Sequence, residues 1–172
     1  MQKMIQTETK VTPTTVRLGQ ILVEQGVLRQ DQVDHVVSVQ RRVGRPFGDL
    51  VERLFGIDPR AIEDAWVRQY TQIMGTVDPA SLGVDPECLA LVNRRQAWQF
   101  FVAPIHRQGQ HAGDELLLIT TARHLVRATN FAAHVFPEVT FFRVAEHERM
   151  KSFLMKHYPV PEYLATMADQ MH

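Results

Sequence analysis

Arg17-Leu18-Gly19-Gln20-Ile21-Leu22-Val23-Glu24-Gln25-Gly26 is the stretch that decides the fold. Its apolar residues recur at helical spacing and stop at a glycine suited to ending a helix. A second helix follows over Gln30 to Val43, with Val33, Val36, Val37 and Gln40 at steps of three and four before Gly44. Moving the chain by 29 residues sets Leu18 on Phe47, Gly19 on Gly48, Ile21 on Leu50, Leu22 on Val51, Leu28 on Ile57, Val33 on Ile62, Val37 on Trp66 and Gln40 on Gln69, without a gap. The second copy comprises a short helix from Pro46 to Phe55 and a longer one opened by Asp58-Pro59, an N-cap followed by Pro at the first helical position. Two helical hairpins therefore form an internal tandem repeat. Apolar matches follow from any two similar hairpins, but paired Gly at helix starts and paired Gln at helix ends serve no obvious packing need.

Outward from the repeat, residues 1–13 read as a flexible polar leader ending at Pro13, and the tandem unit fills 14–73. A linker rich in Gly, Pro, Asp and Ser is expected over 74–84. Residues 85–158 read as a small α/β subdomain. Its expected order is a helix from Asp85-Pro86 to Trp98, strands over Phe100–His106 and Glu115–Thr120 around a Gly-containing loop, a helix over Arg123–Val135, a strand over Val139–Val144 and a helix over Glu146–Tyr158. Pro159 and Pro161 begin a tail over 159–172. The fold class is α+β: an all-α tandem hairpin repeat followed by a small sheet with helices laid on it, its crossover right-handed.

The 172 residues carry 19 basic and 19 acidic side chains and are 45% apolar, values of an ordinary soluble globular chain. Zero net charge lacks the footprint of a general DNA or RNA binder, yet leaves room for a small anionic ligand held by a local cluster. Fifteen of the basic residues are Arg, whose planar fork suits guanine edges and phosphates. A single cysteine, Cys88, excludes an internal disulfide and a cysteine-rich zinc site and fits a reducing cytoplasm. The N-terminus has no apolar core of a signal peptide, and no run approaches about eighteen apolar residues, so neither secretion nor membrane insertion is expected.

The motifs of common enzymes are missing. No Lys follows a Gly, so no P-loop is present, and there is no Gly-x-Ser-x-Gly elbow or His-Glu-x-x-His. Gly109 and Gly113 lie in a polar hairpin loop and make no dinucleotide fingerprint. His106 and His111 flank that loop, while His124, His134, His147 and His157 sit on helices without ligand-like spacing. Cys88 reads as a small buried side chain, and Glu63 and Asp64 point apart on their helix. No catalytic residue, metal site or cofactor is expected, and the chain is read as a non-enzyme.

Residues Arg17 to Gln40 resemble the first 24-residue motif of the MshEN family: Arg-Leu-Gly, a Gly at the tenth place (Gly26), apolar residues at the seventeenth and twenty-first (Val33, Val37) and Gln at the twenty-fourth (Gln40). Arg41 to Arg45 match the five-residue spacer, and Pro46 to Gln69 look like the second motif. Similarity extends through Tyr70 to Pro79, Leu89 to Pro104 and Val139 to Tyr158, about residues 14–160 in all. The family forms the N-terminal domain of bacterial type II secretion and type IV pilus assembly ATPases, related to the GspE N-terminal domain, and many members bind cyclic di-GMP. The resemblance implies a cytoplasmic signalling module for this nucleotide, peripheral at the inner membrane through a partner such as a platform protein or an ATPase of protein transport.

Physical chemistry gives those residues work to do. Arg17 can fork onto guanine O6 and N7 or lie against the purine face. Gly19 would let ligand approach the helix, and Leu18, Leu22, Val33 and Val37 would supply apolar surface, with Gln40 closing the edge. The second half-site would use Phe47, Gly48, Val51 and Gln69, but departs from the family: Pro46 stands where a basic residue is usual, and Phe55 occupies the place matching Gly26. Two readings stay open. One is a cyclic di-GMP receptor; the other, favoured by Pro46 and Phe55, is a nucleotide-independent module that docks onto a secretion or pilus platform protein.

Overall fold

The computed structural model describes residues 16–108 and 115–170. The leader over 1–13, the loop glycines Gly109 and Gly113 with His111, and the last two residues of the tail lie outside the described residues. Four helices come first: α1 (Leu18–Glu24), α2 (Gln30–Val43), α3 (Phe47–Phe55) and α4 (Pro59–Met74). Their ends follow from the sequence. Gly44 and Gly56 take left-handed φ values of 68° and 62° where α2 and α3 stop, the conformation that a residue without Cβ adopts most cheaply. Asp58 caps α4 by accepting from the Arg60 N–H at 2.9 Å, with Pro59 at the first helical position. Pro46 stands at the N-cap of α3, one residue before the place expected for it.

The rest is α+β. Strands β1 (Thr76–Val77), β2 (Ala103–Gln108), β3 (Glu115–Thr121) and β4 (Val139–Ala145) form a mixed sheet in the order β1-β4-β3-β2. β3 pairs parallel with β4 from Glu115 opposite Val139 to Thr121 opposite Ala145, and β2 runs antiparallel to β3. The crossover between β3 and β4 holds a 3-10 turn and α7 (Leu125–Val135). The remaining helices are α5 (Pro86–Leu89), α6 (Arg94–Phe100), α8 (His147–His157) and α9 (Glu162–Gln170).

Three expectations are corrected. The stretch read as a linker carries β1, which pairs with Val144 and Ala145 at the sheet edge, and a 3-10 turn over Pro79–Ser81. The helix expected from Asp85 to Trp98 is two short helices: the first ends at Leu89 with Ala90 as its C-cap, and Asn93 caps the second, its side chain accepting from the Gln96 N–H while Gln96 accepts from the Asn93 N–H. The tail beginning at Pro159 folds into α9, which packs on α6 and buries Ala165.

Two apolar clusters hold the chain. Ile21, Leu22, Leu28, Val36, Leu50, Val51 and Ala65 are buried within α1–α4. The larger cluster lies between the sheet and α5–α9, with Phe101, Ile105, Leu116, Leu118, Ile119, Leu125, Met150 and Leu154 inside. Helix α4 serves both: Ala65 belongs to the first, whereas Trp66, Val67 and Tyr70 pack against the second. Tyr70 also fastens to the sheet, its hydroxyl donating to the Phe142 carbonyl at 2.8 Å. Among the described residues no helix is long and apolar enough to cross a membrane.

Candidate ligand site of the tandem hairpins

The two hairpins embrace rather than follow one another: α1 packs on α4 and α2 on α3. Their equivalent glutamines show the relation. Gln40 donates to the Arg45 carbonyl at 3.1 Å, and Gln69 donates to the Val16 carbonyl at 2.7 Å. Val16 and Arg45 are repeat mates, each preceding the N-cap residue of its helix. Each hairpin therefore ends by tying down the start of the other, an approximate twofold arrangement.

The paired glycines also have a structural cause. A Cβ on Gly19 would stand 2.8 Å from Val33 Cγ1 and 3.1 Å from Phe47 Cζ, and one on Gly48 would stand 3.0 Å from Ile62 Cγ2. Val33 and Ile62 are repeat mates on the second helix of each hairpin. Close helix contact thus requires Gly at 19 and 48, and the expectation that these Gly and Gln pairs serve no packing need is corrected.

A groove of about 970 Å³ opens beside this contact. Arg17, Leu18, Gly19, Val33, Val37 and Gln40 line it as expected, together with Phe47 and with Gln69, which the sequence assigned to the second half-site and which lies here instead. Leu22 and Val51 do not reach it and are wholly buried in the helical core. Gly26 lies past α1 with φ 71° and nothing near its absent Cβ, so it turns the chain. Gly48 opens instead onto a second pocket, of about 430 Å³, together with Ile62 and Trp66. By the 29-residue shift these are the counterparts of Gly19, Val33 and Val37 in the first groove. Leu18 and Phe47, themselves repeat mates, line both spaces and form the partition between them.

Electrostatically the first groove is mixed. Arg17 is exposed at the N-cap of α1, and among the described residues its guanidinium has no hydrogen-bond or ion-pair partner. Arg41 adds a second cation, and Asp34, which accepts from Gln30 at 3.0 Å, adds an anion on the same wall. Outside the groove Arg45 and Arg53 both hold Asp49, at 3.1 and 2.7 Å. The Arg53 hydrogen bond, then that of Arg45, keeps the Asp49 carboxyl below its usual range, so Arg45 is engaged away from the ligand space. Phe55 lines neither space: its ring meets His35 edge-on at 6.3 Å.

Sequence reasoning missed Gln30, Asp34, Ser38 and Arg41, which line the groove from one face of α2. Their spacing of three and four from one another was the available signal. It also missed Val126, Thr129 and Asn130 of α7, which wall the second pocket and lie far away in the chain. Among the described residues no three His, Cys, Asp or Glu side chains gather as metal ligands.

No family model matches the chain, and no curated protein is similar enough to match it. Solved structures similar to it include the following two. MshE with cyclic di-GMP has a TM-score of 0.46 at 20% identity, over 83% of this chain and 99% of that one. The N-terminal domain of XpsE has a TM-score of 0.33 at 17% identity, over 83% of this chain and 93% of that one. These neighbours come from the N-terminal family that the tandem motif resembles. Both TM-scores are below 0.5, so the assignment of the site rests on its own residues.

Proposed function

We propose that the tandem hairpins over 14–73 are a receptor for cyclic di-GMP and that the part over 85–158 relays the bound state to a secretion or pilus partner. The chain would act as a cytoplasmic regulatory module without enzymatic activity of its own. The observation that carries this reading is the pair of spaces on either side of Leu18 and Phe47, with unpartnered Arg17 at the first. Cyclic di-GMP has two guanines and two phosphates in approximate twofold relation, and two spaces in approximate twofold relation suit it. Arg17 would fork onto one guanine or a phosphate, with Val33 and Val37 against the ring. Calorimetry tests it: cyclic di-GMP should bind far more tightly than GMP, because linked half-sites gain effective concentration, and ATP should bind weakly. Equal affinity for GMP and cyclic di-GMP would defeat the tandem site.

The docking reading has its own support. Gln40 and Gln69 already spend donors on backbone carbonyls, and Gly19 is filled by Val33 and Phe47. On that reading the motif only builds a scaffold for a platform protein, and no heat follows addition of cyclic di-GMP.

A further inference from the structure

The two hairpins are alike, but their surroundings are not. Among the described residues the first groove is walled by α1, α2, the start of α3 and Gln69 of α4. The second pocket has an additional wall of Val126, Thr129 and Asn130 from α7, a helix of the sheet region that begins about 50 residues beyond the end of α4. The same wall borders a further recess of about 660 Å³ that shares Glu63, Val126 and Asn130 with the pocket. Glu63 on α4 and Asn130 on α7 face this junction from opposite sides. Both are exposed, and neither side chain has a hydrogen-bond or ion-pair partner among the described residues.

We infer that α7 completes the second half-site, and that Glu63 and Asn130 read the second guanine in place of the guanidinium missing at Pro46. This rests on the receptor reading above. The walls suit a flat ring: Leu18, Phe47, Ile62 and Trp66 on one side, Val126 on the other, in a volume within the roughly 300–1,000 Å³ of ligand clefts. The edge groups suit guanine over adenine. A carboxylate accepts from guanine N1–H and N2–H₂, donors that the adenine edge lacks, and the Asn130 amide donates to O6 or N7. Thr129 takes no part at the edge, since its hydroxyl donates to the Leu125 carbonyl at 2.8 Å.

A regulatory consequence follows from the geometry. A ligand seated in the first groove alone touches only the helical repeat. One that also fills the second pocket bridges α4 to α7, and so links the repeat to the helix that connects β3 with β4. Cyclic di-GMP would then add a contact between the two parts beyond those that α4 already makes with both clusters.

The experiment titrates the full chain, wild type and three variants, with cyclic di-GMP, cyclic di-AMP and GMP, with circular dichroism checking the fold. Glu63→Ala and Asn130→Ala change exposed side chains and should each narrow the preference for cyclic di-GMP over cyclic di-AMP by about tenfold. Val126→Trp, filling the pocket from the α7 side, should lower cyclic di-GMP affinity toward the level of GMP. Hydrogen exchange along Leu125–Val135 should slow with cyclic di-GMP. If wild type binds cyclic di-GMP and all three variants match it in affinity and base preference, α7 is no part of the site, and the receptor reading survives alone. If wild type does not bind cyclic di-GMP, the receptor reading falls and takes this inference with it.

Discussion

At the scale of single residues, Arg17 and Gly19 are neighbours with opposite duties. Arg17 is exposed and unpartnered among the described residues, so Arg17→Ala should leave urea-unfolding stability within about 0.5 kcal/mol of wild type. Its cost should fall on the ligand: about 1–3 kcal/mol, or roughly five- to 150-fold in cyclic di-GMP affinity by calorimetry. A loss of stability equal to the loss of binding would show that Arg17 is structural. Gly19→Ala should do the reverse. Alanine gains about 1 kcal/mol of helix propensity over glycine, but the added Cβ would stand 2.8 Å from Val33 Cγ1. Val33 is branched at Cβ and has little rotamer freedom with which to retreat, and overpacking of this kind costs about 1–3 kcal/mol. A net loss of stability is expected, larger than for Gly48→Ala, where Ile62 is the one close atom source at 3.0 Å. The sequence carried the identity of these positions but not their duties. Gly19 and Gly48 stand out by their spacing, yet what they admit is a methyl group from another helix, and that needs coordinates.

At the scale of elements, the ties between hairpins and the ends of helices decide stability. Gln69 and Gln40 make equivalent bonds, but the Gln69 bond to Val16 is shorter and half-buried, whereas that of Gln40 to Arg45 is exposed. Gln69→Ala should therefore cost about 1 kcal/mol or more of unfolding free energy, and Gln40→Ala clearly less. Comparable losses would mean that burial does not distinguish the two ties. Tyr158 closes α8 in the same spirit: its hydroxyl donates to the Leu89 carbonyl at 2.7 Å, and its carbonyl accepts from Trp98 Nε1 at 2.8 Å. Burial pushes the phenol far above its ordinary value near 10. The folded state keeps the proton after the unfolded chain has lost it, so this stability is whole below about pH 10 and falls as pH rises further. Tyr158→Phe should flatten that alkaline decline in a series of urea melts, and an unchanged slope would assign the decline to other groups. Element boundaries were legible where the chain signals them chemically. Helix α2 matches its expected span because Gly44 stops it, while the break between α5 and α6 was written in Asn93-x-x-Gln96 and overlooked. Strand β1 was not legible, since two residues between Gly75 and Asp78-Pro79 carry no period, and only pairing with β4 makes them a strand. Helix α9 was hidden behind two prolines that start it rather than forbid it: Leu164 already donates to the Pro161 carbonyl.

At the scale of the whole molecule, an approximate twofold axis between the hairpins meets an asymmetric neighbour, and the second half-site is where the two conflict. The sequence showed the asymmetry at Pro46 and Phe55, because both break the 29-residue match; it could not show α7, which arrives through tertiary packing. The structure also separates the two departures. Pro46 lines the second pocket, whereas Phe55 packs against His35 of α2 and is clear of both ligand spaces. Arg17 and Pro46 are both N-caps with extended ψ, 139° and 143°, so an arginine at 46 would leave the backbone much as Arg17 does. A new fork onto guanine is worth about 1–3 kcal/mol, and ordering the side chain consumes up to roughly 2 kcal/mol of it. Pro46→Arg should thus raise cyclic di-GMP affinity only several-fold. It should do so with Phe55 in place, and adding Phe55→Leu should contribute nothing beyond its own small effect. The four proteins of that cycle, titrated under one condition, read the coupling directly. Additive effects are expected, because the Phe55 ring and the pocket do not meet. If Pro46→Arg improves binding only once the Phe55 ring is removed, the second guanine lies toward α2 rather than against α7, and the half-site proposed between Phe47, Trp66 and Val126 is in the wrong place.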